Sequence, residues 1–144
     1  MKSVRAALNR RAKGEKGFTL VELLVVVIII GILAAVAVPI YLNQRKSAWN
    51  SQTESDVKNA SLVVETATTS NNGKIPTLPA SCDSATDCEI DGNKVTVTEG
   101  VTLTFTKGDD NDNTYTIKGE NDNNGTKVYT YNSAEGKMVT SDKQ

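Results

Sequence analysis

The chain opens with a polar stretch that gives way to a long, uninterrupted apolar run. Residues 18–42 read FTLVELLVVVIIIGILAAVAVPIYL, and Glu22 is the one ionisable side chain before Tyr41. About 20 apolar residues suffice to cross the hydrocarbon core of a bilayer as a helix. The run shows no polar stripe, which suits a surround of lipid or of other helices. It is predicted to be a transmembrane helix.

Residues 43–72 are predicted to be the amphipathic half of the same helix. Polar side chains begin at Asn43, and apolar positions then recur every three or four residues. This stripe comprises Trp49, Thr53, Val57, Ala60, Val64 and Ala67, widened by Leu62 and Val63. We interpret Trp49 as a core anchor near the membrane boundary. The helix is expected to run from Phe18 to about residue 69, with Gly73 as its stop.

The remainder of the chain has the pattern of β-structure. Residues 73–93 form a connector, in which Pro76 and Pro79 oppose regular pairing. In residues 94–144 the alternation predicts strands at 94–98, 101–106, around Tyr115 and Ile117, at 128–131 and, as a short fifth, at 138–140. Turns are expected at 107–113, 119–125 and 132–136. The predicted fold is α+β: one long N-terminal helix packed on an antiparallel sheet of about four strands.

Charge is distributed unevenly along the chain. Residues 1–17 carry six basic side chains and one acidic one, a net charge of +5, whereas the rest carries ten basic and sixteen acidic ones, a net charge of −6. A basic flank marks the cytoplasmic side of a membrane helix, so the acidic bulk is expected outside the cell. The lack of a basic patch beyond residue 17 gives no electrostatic support for nucleic-acid binding.

The candidate chemistry of the chain is sparse. Cys82 and Cys88 close a short loop, and a disulfide between them fits an exported domain. Because the sequence contains no His, neither a Ser-His-Asp nor a Cys-His arrangement is available. Two thiols alone make a poor metal site. We therefore predict no enzyme activity, no cofactor and no metal.

Two interpretations of the N-terminus remain open on the residues alone. In a conventional signal peptide the small-residue cleavage site follows the apolar core, and Ala35-Val36-Ala37 supplies such a site. Gly17, by contrast, precedes the core, so cleavage there leaves the hydrophobic helix on the mature protein.

The junction Lys16-Gly17-Phe18-Thr19-Leu20-Val21-Glu22-Leu23 resembles the class III leader junction of type IV prepilins and their relatives in type II secretion and competence. The resemblance is close from Lys16 to about Tyr41. It implies a basic leader, residues 1–17, that a prepilin peptidase removes between Gly17 and Phe18. It also implies N-methylation of Phe18 and packing of the helix into a filament of identical subunits, with an assembly platform and ATPase as further partners. The expected location is the cytoplasmic membrane, then an extracellular pilus.

Glu22 is the costliest residue of the apolar run. A charged carboxylate at the centre of a membrane helix costs about 2.5 kcal/mol or more, so it needs a partner or a route to water. In the resembled family the carboxylate pairs with the amino group of a neighbouring subunit, here that of Phe18. The alternative is a Glu near the helix end that reaches the lipid headgroups.

Gly31 and Pro39 are the predicted weak points of the helix. Proline lacks an amide hydrogen and crowds the carbonyl four residues before it, here that of Ala35. In the resembled family the corresponding stretch can lose helicity in the filament. The alternative is that Pro39 is an ordinary proline of a membrane helix.

The acidic turns raise a calcium hypothesis. Residues 109–113 and 120–125 are rich in Asp and Asn, but the second lacks the Glu that an EF-hand needs at its twelfth position, where Tyr131 stands. Solvated turns are the favoured interpretation.

The sequence thus favours a structural subunit of a type IV pilus. A pseudopilin of a type II secretion system, or a competence pilin, is the alternative within the same class. A monomeric exported binding domain, anchored by an uncleaved signal or released after Ala37, is the alternative of another class.

Overall fold

The computed structural model describes residues 19–144, so Gly17 and Phe18 lie outside the described part of the chain. The chain divides into two units, Met1–Asn43 and Gln44–Gln144. Helix α1 comprises Leu20–Ser70, close to the predicted range. Helical structure continues through Gly31 and Pro39, and the predicted loss of helicity there in an assembled filament stays a prediction.

The helix ends where the sequence predicted its stop. Gly73 has a φ of 80° and Asn72 a φ of 56°, both in the left-handed region that helix ends adopt. The N–H of Gly73 donates to the carbonyl of Thr68 at 2.9 Å, which satisfies one of the carbonyls left open by the end of the helix.

The second unit contains a five-stranded antiparallel sheet and a separate two-stranded one. The strands are β1 (Ser81–Cys82), β2 (Glu89–Ile90), β3 (Asn93–Lys94), β4 (Val101–Lys107), β5 (Tyr115–Asn121), β6 (Lys127–Asn132) and β7 (Lys137–Asp142). The five-stranded sheet has the order β1-β4-β5-β6-β7, and the two-stranded sheet pairs β2 with β3. The α+β class and the meander from β4 to β7 are therefore confirmed.

The predicted strand at 94–98 is wrong. Only Lys94 is in a strand, and residues 95–98 form no ladder, although Val95 and Val97 are buried as the alternation indicated. The backbone there has other partners: Val95 N–H donates to the Cys88 carbonyl at 2.8 Å, and Thr98 N–H donates to the Asp56 carboxylate at 2.8 Å. The alternation predicted which side chains are buried, but it could not predict the hydrogen-bond partners of the backbone.

The connector is more ordered than predicted. It contains β1, which adds to β4, and most of the β2–β3 hairpin. Asp91 and Gly92 form the hairpin turn, with φ values of 52° and 76°. An Asp-Gly pair is a common signal for such a turn. The predicted turn at 119–125 also begins too early, since Gly119, Glu120 and Asn121 continue β5.

The core lies between the sheet and residues 44–70 of the helix. Val57, Ala60, Val64 and Ala67 are buried against inward-facing strand residues such as Leu103 and Ile117. Leu62 is wrong as a core position, because its side chain is 64% exposed. Trp49 is half-buried and does not belong to the buried core, so its interpretation as a core anchor is also wrong.

Gly119 marks the closest approach of sheet and helix. It is buried in the middle of β5, facing the helix. A Cβ placed there would lie 3.1 Å from Thr53 Cγ2 and 3.3 Å from Leu103 Cδ2, and it would clash with Val57 Cγ2. The strand can therefore lie this close to the helix only because residue 119 has no side chain.

We predict that Gly119→Ala destabilises the second unit by about 1–3 kcal/mol, because the added methyl group overpacks a closed core. Thermal unfolding of the full chain in detergent, followed by circular dichroism, measures the change. Gly31→Ala is the matched control, since a Cβ at Gly31 meets nothing within 4 Å. An equal melting temperature for Gly119→Ala and the unmodified chain would contradict the close approach.

Candidate functional site

The apolar half of α1 presents its hydrocarbon on all sides. The large hydrophobic side chains between residues 20 and 42 are 45–84% exposed. Among the described residues, α1 is the one helix long and apolar enough to cross a membrane, and its most apolar 18-residue window has a mean hydropathy of 3.2 and no buried residue. An apolar surface of this size marks a membrane or protein interaction site.

Thr19 begins the helix and holds the backbone of Glu22. Its Oγ1 accepts the N–H of Glu22 at 3.0 Å, and its carbonyl accepts the N–H of Leu23 at 3.0 Å. This is an N-cap, and Thr-Leu-Val-Glu has the spacing of a capping box. Our sequence reasoning missed this role of Thr19, although the pattern was readable.

The carboxylate of Glu22 has no hydrogen bond or ion pair within residues 19–144. Its position in the first turn places it near the positive end of the helix dipole, which favours a negative charge there. The predicted partner, the amino group of Phe18, lies outside the described residues, as does the predicted cleavage site at Gly17. The pairing therefore stays a prediction.

The second unit begins with a cationic turn of the helix. Arg45 lies over the ring of Trp49, with 4.8 Å between the guanidinium carbon and the ring centroid. Such a contact explains the half-burial of Trp49, because the ring packs under a charged side chain rather than in the core. Arginine and lysine beside an apolar run place their charges at the lipid headgroups.

The turn between β5 and β6 packs against this same helical segment. The N–H of Lys127 donates to Asn50 Oδ1 at 2.8 Å. A Cβ at Gly125 would lie 2.9 Å from the Nζ of Lys46. The Asn- and Asp-rich turn at 122–125 is thus held at the start of the second unit.

Asp56 fixes the irregular segment that follows β3. Its side chain is buried, and it accepts the N–H of Thr98 at 2.8 Å and the Thr98 hydroxyl at 3.1 Å. The sequence placed Asp56 beside the apolar stripe of the helix but gave no partner for it. A buried carboxylate requires such partners, so Asp56 joins the helix to the loop.

At the other end of the second unit, Tyr115 joins β5 to the helix. Its buried hydroxyl donates to Glu65 Oε1 at 2.7 Å and lies 3.3 Å from the Ser61 carbonyl oxygen. Burial, and then the hydrogen bond to Glu65, raise the pKa of Tyr115 above its ordinary value. Asn113 adds a second tie nearby, since its amide donates to the Gly73 carbonyl at 2.8 Å and accepts the Ile75 N–H at 3.1 Å.

Cys82 and Cys88 form the predicted disulfide, and both are buried. The exposed loop that they close is ordered by Asp83, whose Oδ1 accepts the N–H groups of Ala85 at 3.0 Å and Thr86 at 2.8 Å, together with the Thr86 hydroxyl. The hydrogen bond from the Thr86 side chain is the main cause that lowers the pKa of Asp83. The bridge and this turn hold the loop beside β1.

Within residues 19–144 no three side chains of the His, Cys, Asp and Glu types lie close enough to hold a metal ion. The calcium interpretation of the acidic turns stays a hypothesis. Asn121 is buried, and its Oδ1 accepts the N–H and the side-chain amide of Asn123 at 2.9 and 2.7 Å. The side-chain oxygen of Asn121 therefore shapes the turn that follows β5.

Comparison with known proteins matches the N-terminal part of the chain. The family described as the prokaryotic N-terminal methylation motif matches residues 12–38. The motif thus covers the predicted cleavage junction and most of the apolar run.

Several fimbrial proteins are similar to part of this chain. Fimbrial protein EcpB of Eikenella corrodens is 39% identical over 69 residues, which are 48% of this chain and 42% of that protein. The type IV major fimbrial protein FimA of Dichelobacter nodosus is 46% identical over 52 residues, 36% of this chain and 33% of that protein. A fimbrial protein of Neisseria meningitidis serogroup B is 40% identical over 87 residues, 56% of this chain and 47% of that protein.

The chain therefore spans a third to a half of the length of these relatives. No solved structure matches the chain.

The raised pKa of Tyr115 predicts a loss of stability at alkaline pH. The unfolded state loses the phenol proton near pH 10, whereas the folded state holds it to higher pH. The stabilisation is therefore fully present below about pH 10 and declines as pH rises above it. Tyr115→Phe should cost about 1 kcal/mol at neutral pH, through the lost hydrogen bond, and should flatten the alkaline decline.

Thermal unfolding of the unmodified chain and of Tyr115→Phe in detergent, from neutral pH to about pH 10.5, measures the difference in their alkaline loss of stability. Tyr129, whose pKa is also raised, mainly by burial, leaves some alkaline decline in the variant. Equal slopes for the two chains above pH 10 would contradict the assignment to Tyr115.

Proposed function

We propose that this chain is a member of the type IV pilin family and a structural subunit of a type IV pilus. Its methylation motif and its similarity to fimbrial proteins support this proposal. The precursor is stored in the membrane, a prepilin peptidase cleaves it after Gly17, and the new N-terminus at Phe18 is methylated. The mature subunits then polymerise through α1 into an extracellular filament of identical copies.

One observation carries the proposal: an apolar helical segment exposed on all sides, with a single carboxylate in its first turn that has no partner within residues 19–144. In a helix that stays in lipid, the charged carboxylate of Glu22 only adds a free-energy cost. A helix that leaves lipid to pack among copies of itself needs a polar contact that operates only between copies.

Packing of apolar side chains alone does little to favour the transfer of the helix from lipid into a filament. Lipid tails are as apolar as valine and isoleucine side chains, so the hydrophobic effect does not favour helix neighbours over lipid. A charge pair in an apolar surround is different, because an unmatched charge there is costly. Pairing of Glu22 with the amino group of Phe18 on the next subunit would therefore set the axial register of the filament.

The N-cap at Thr19 fits this role. It binds the backbone N–H of Glu22, while the carboxylate makes no contact of its own with the part of the chain that the structure describes. A helix ordered up to its first residues would present the acid in one position. The cap thus supports a pre-organised assembly contact, since a frayed end would have to order on binding.

The proposed partners follow from this pathway. They are identical subunits, the prepilin peptidase, the assembly platform with its ATPase, and the cytoplasmic membrane that holds the precursor. The function is structural and requires no catalytic residue. The Cys82–Cys88 disulfide is consistent with a head that matures outside the cytoplasm.

The relatives are all fimbrial proteins, which favours a pilus over a type II secretion pseudopilin or competence pilus. A signal-anchored or released binding domain is the alternative of another class. The form of the mature N-terminus separates it from the pilus proposal.

We expect mass spectrometry of the mature protein to find N-methylated phenylalanine at position 18. Cleavage after Gly17 and methylation are the two reactions that the motif implies. A mature N-terminus at Val38 would instead show release by a signal peptidase, and retention of residues 1–17 would show an uncleaved anchor. Either result would refute the processing step.

We expect Glu22→Ala and Glu22→Gln to be processed normally but to give severalfold fewer filaments. The Gln variant preserves the shape of the side chain and removes the charge, so it isolates the ion pair from packing. Filament yield by electron microscopy, beside the processed fraction by mass spectrometry, measures both steps. Glu22→Asp is the control that keeps the charge and should retain part of the yield. Wild-type yield from Glu22→Gln would rule out the charge pairing.

A further inference from the structure

Strand β7 is an open edge of the five-stranded sheet. All six of its residues pair with β6, from Lys137 opposite Asn132 to Asp142 opposite Lys127. Within residues 19–144 no strand lies on its other side. The opposite edge of the sheet is β1, which is only two residues long. The sheet therefore has one short edge and one long edge with free backbone donors and acceptors.

This long edge lacks the features by which monomeric proteins protect such strands. Residues 138–141 are Met-Val-Thr-Ser, with no charge and no proline, and the pairing with β6 runs through without a bulge. Charged side chains, prolines, bulges and short length are the usual means of preventing edge-to-edge pairing. Of these, β7 has a charge only at each end of the strand.

Val139 lies at the centre of the edge and is 54% exposed. Among the described residues of the second unit, Val139 and Leu62 are the large hydrophobic side chains that remain exposed. Val139 is opposite Thr130 of β6, and Thr130 is opposite Lys118 of β5, so it lies on the face of the sheet turned away from the core. An exposed valine beside an open backbone edge is a surface suited to strand addition.

We propose that β7 pairs antiparallel with β7 of a second copy of this chain, with the two Val139 side chains opposite each other. A strand that meets its own copy through a two-fold axis must pair antiparallel, and one residue then faces itself. Centring the pair on Val139 places Met138 opposite Thr140 and Lys137 opposite Ser141. The two open backbone rows then satisfy each other.

The flanking charges select this register. With Val139 at the centre, Lys137 of each copy is opposite Ser141 of the other, so no like charges lie directly opposite within the paired strands. Centring on Thr140 would instead place Lys137 opposite Lys143, and like charges directly opposite destabilise a pair.

Such a contact would join separate filaments. Subunits within one helical filament meet through two different surfaces, whereas a two-fold contact uses the same surface twice. The β7 pair would therefore link subunits of neighbouring filaments and bundle them. The bundling rests on the proposed function, but the pairing itself does not.

Cross-linking of the full chain in detergent tests the pairing. The sequence has two cysteines, and both are in the disulfide, so Val139→Cys adds the one free thiol. Mild oxidation should convert it to a disulfide-linked dimer several times faster than Thr104→Cys, an exposed control on β4, away from the β7 edge. Equal rates for the two variants would overturn the proposal.

Bundling of assembled filaments tests the consequence. Val139→Lys places two positive charges opposite each other, so low-speed sedimentation and electron microscopy should show severalfold fewer bundles at unchanged filament yield. Thr104→Lys adds the same charge away from the edge and should leave bundling unchanged. Undiminished bundling by Val139→Lys would overturn the proposal. If no filaments form from the unmodified chain, the proposed function fails while the cross-linking result still decides the pairing.

Discussion

The exposed apolar half of α1 is the constraint on which the rest of this protein depends. Seventeen large hydrophobic side chains between residues 20 and 42 lie open in the isolated chain. Covering each contributes about 1.5–3 kcal/mol, so together they favour burial by tens of kcal/mol. A surface of this kind favours lipid or other helices over water as its surroundings.

That force is large but non-directional, and the polar groups supply the direction. The backbone N–H of Glu22 is held by the cap at Thr19, and its carboxylate has no partner among the described residues, so in the proposed filament it would be the point at which one copy recognises another. The expense of an unmatched charge, rather than the gain from apolar contact, would then determine the alignment of subunits. In the proposed filament, a single carboxylate would thus have more influence on register than the valines and isoleucines around it.

The second unit solves a different problem, which is to attach a sheet to an exposed helix. The sheet lies close to the helix at Gly119, where a side chain would not fit. Asp56, Tyr115 and Asn113 add hydrogen bonds from the helix or its end to separate loops and strands. These hydrogen bonds add to the stabilisation that comes from the small area buried on one face of the helix. The edge at β7 has no such cover, and pairing with a second copy would provide it.

Much of this arrangement follows from local pattern. The apolar run, the extent of α1, the stop at Gly73 and the strands from β4 to β7 are readable because each depends on the periodicity or on the backbone freedom of nearby residues. The disulfide between Cys82 and Cys88 is readable for a similar reason, since the short loop keeps the two residues close. Thr19 and the Asp91-Gly92 turn also carry local signals, although neither the N-cap nor the hairpin was predicted from the sequence.

What the tertiary structure decided is the partner of each group far apart in the sequence. Residues 95–98 alternate like a strand, yet they form no ladder. The N–H of Thr98 donates instead to Asp56, which is 42 residues away in the sequence. Gly119 resembles a turn residue until the helix is placed against it, and Leu62 falls beside the apolar stripe but outside the area that the sheet covers. Periodicity determines which face a residue lies on. Only the packed structure determines how wide the covered face is and which distant groups meet there.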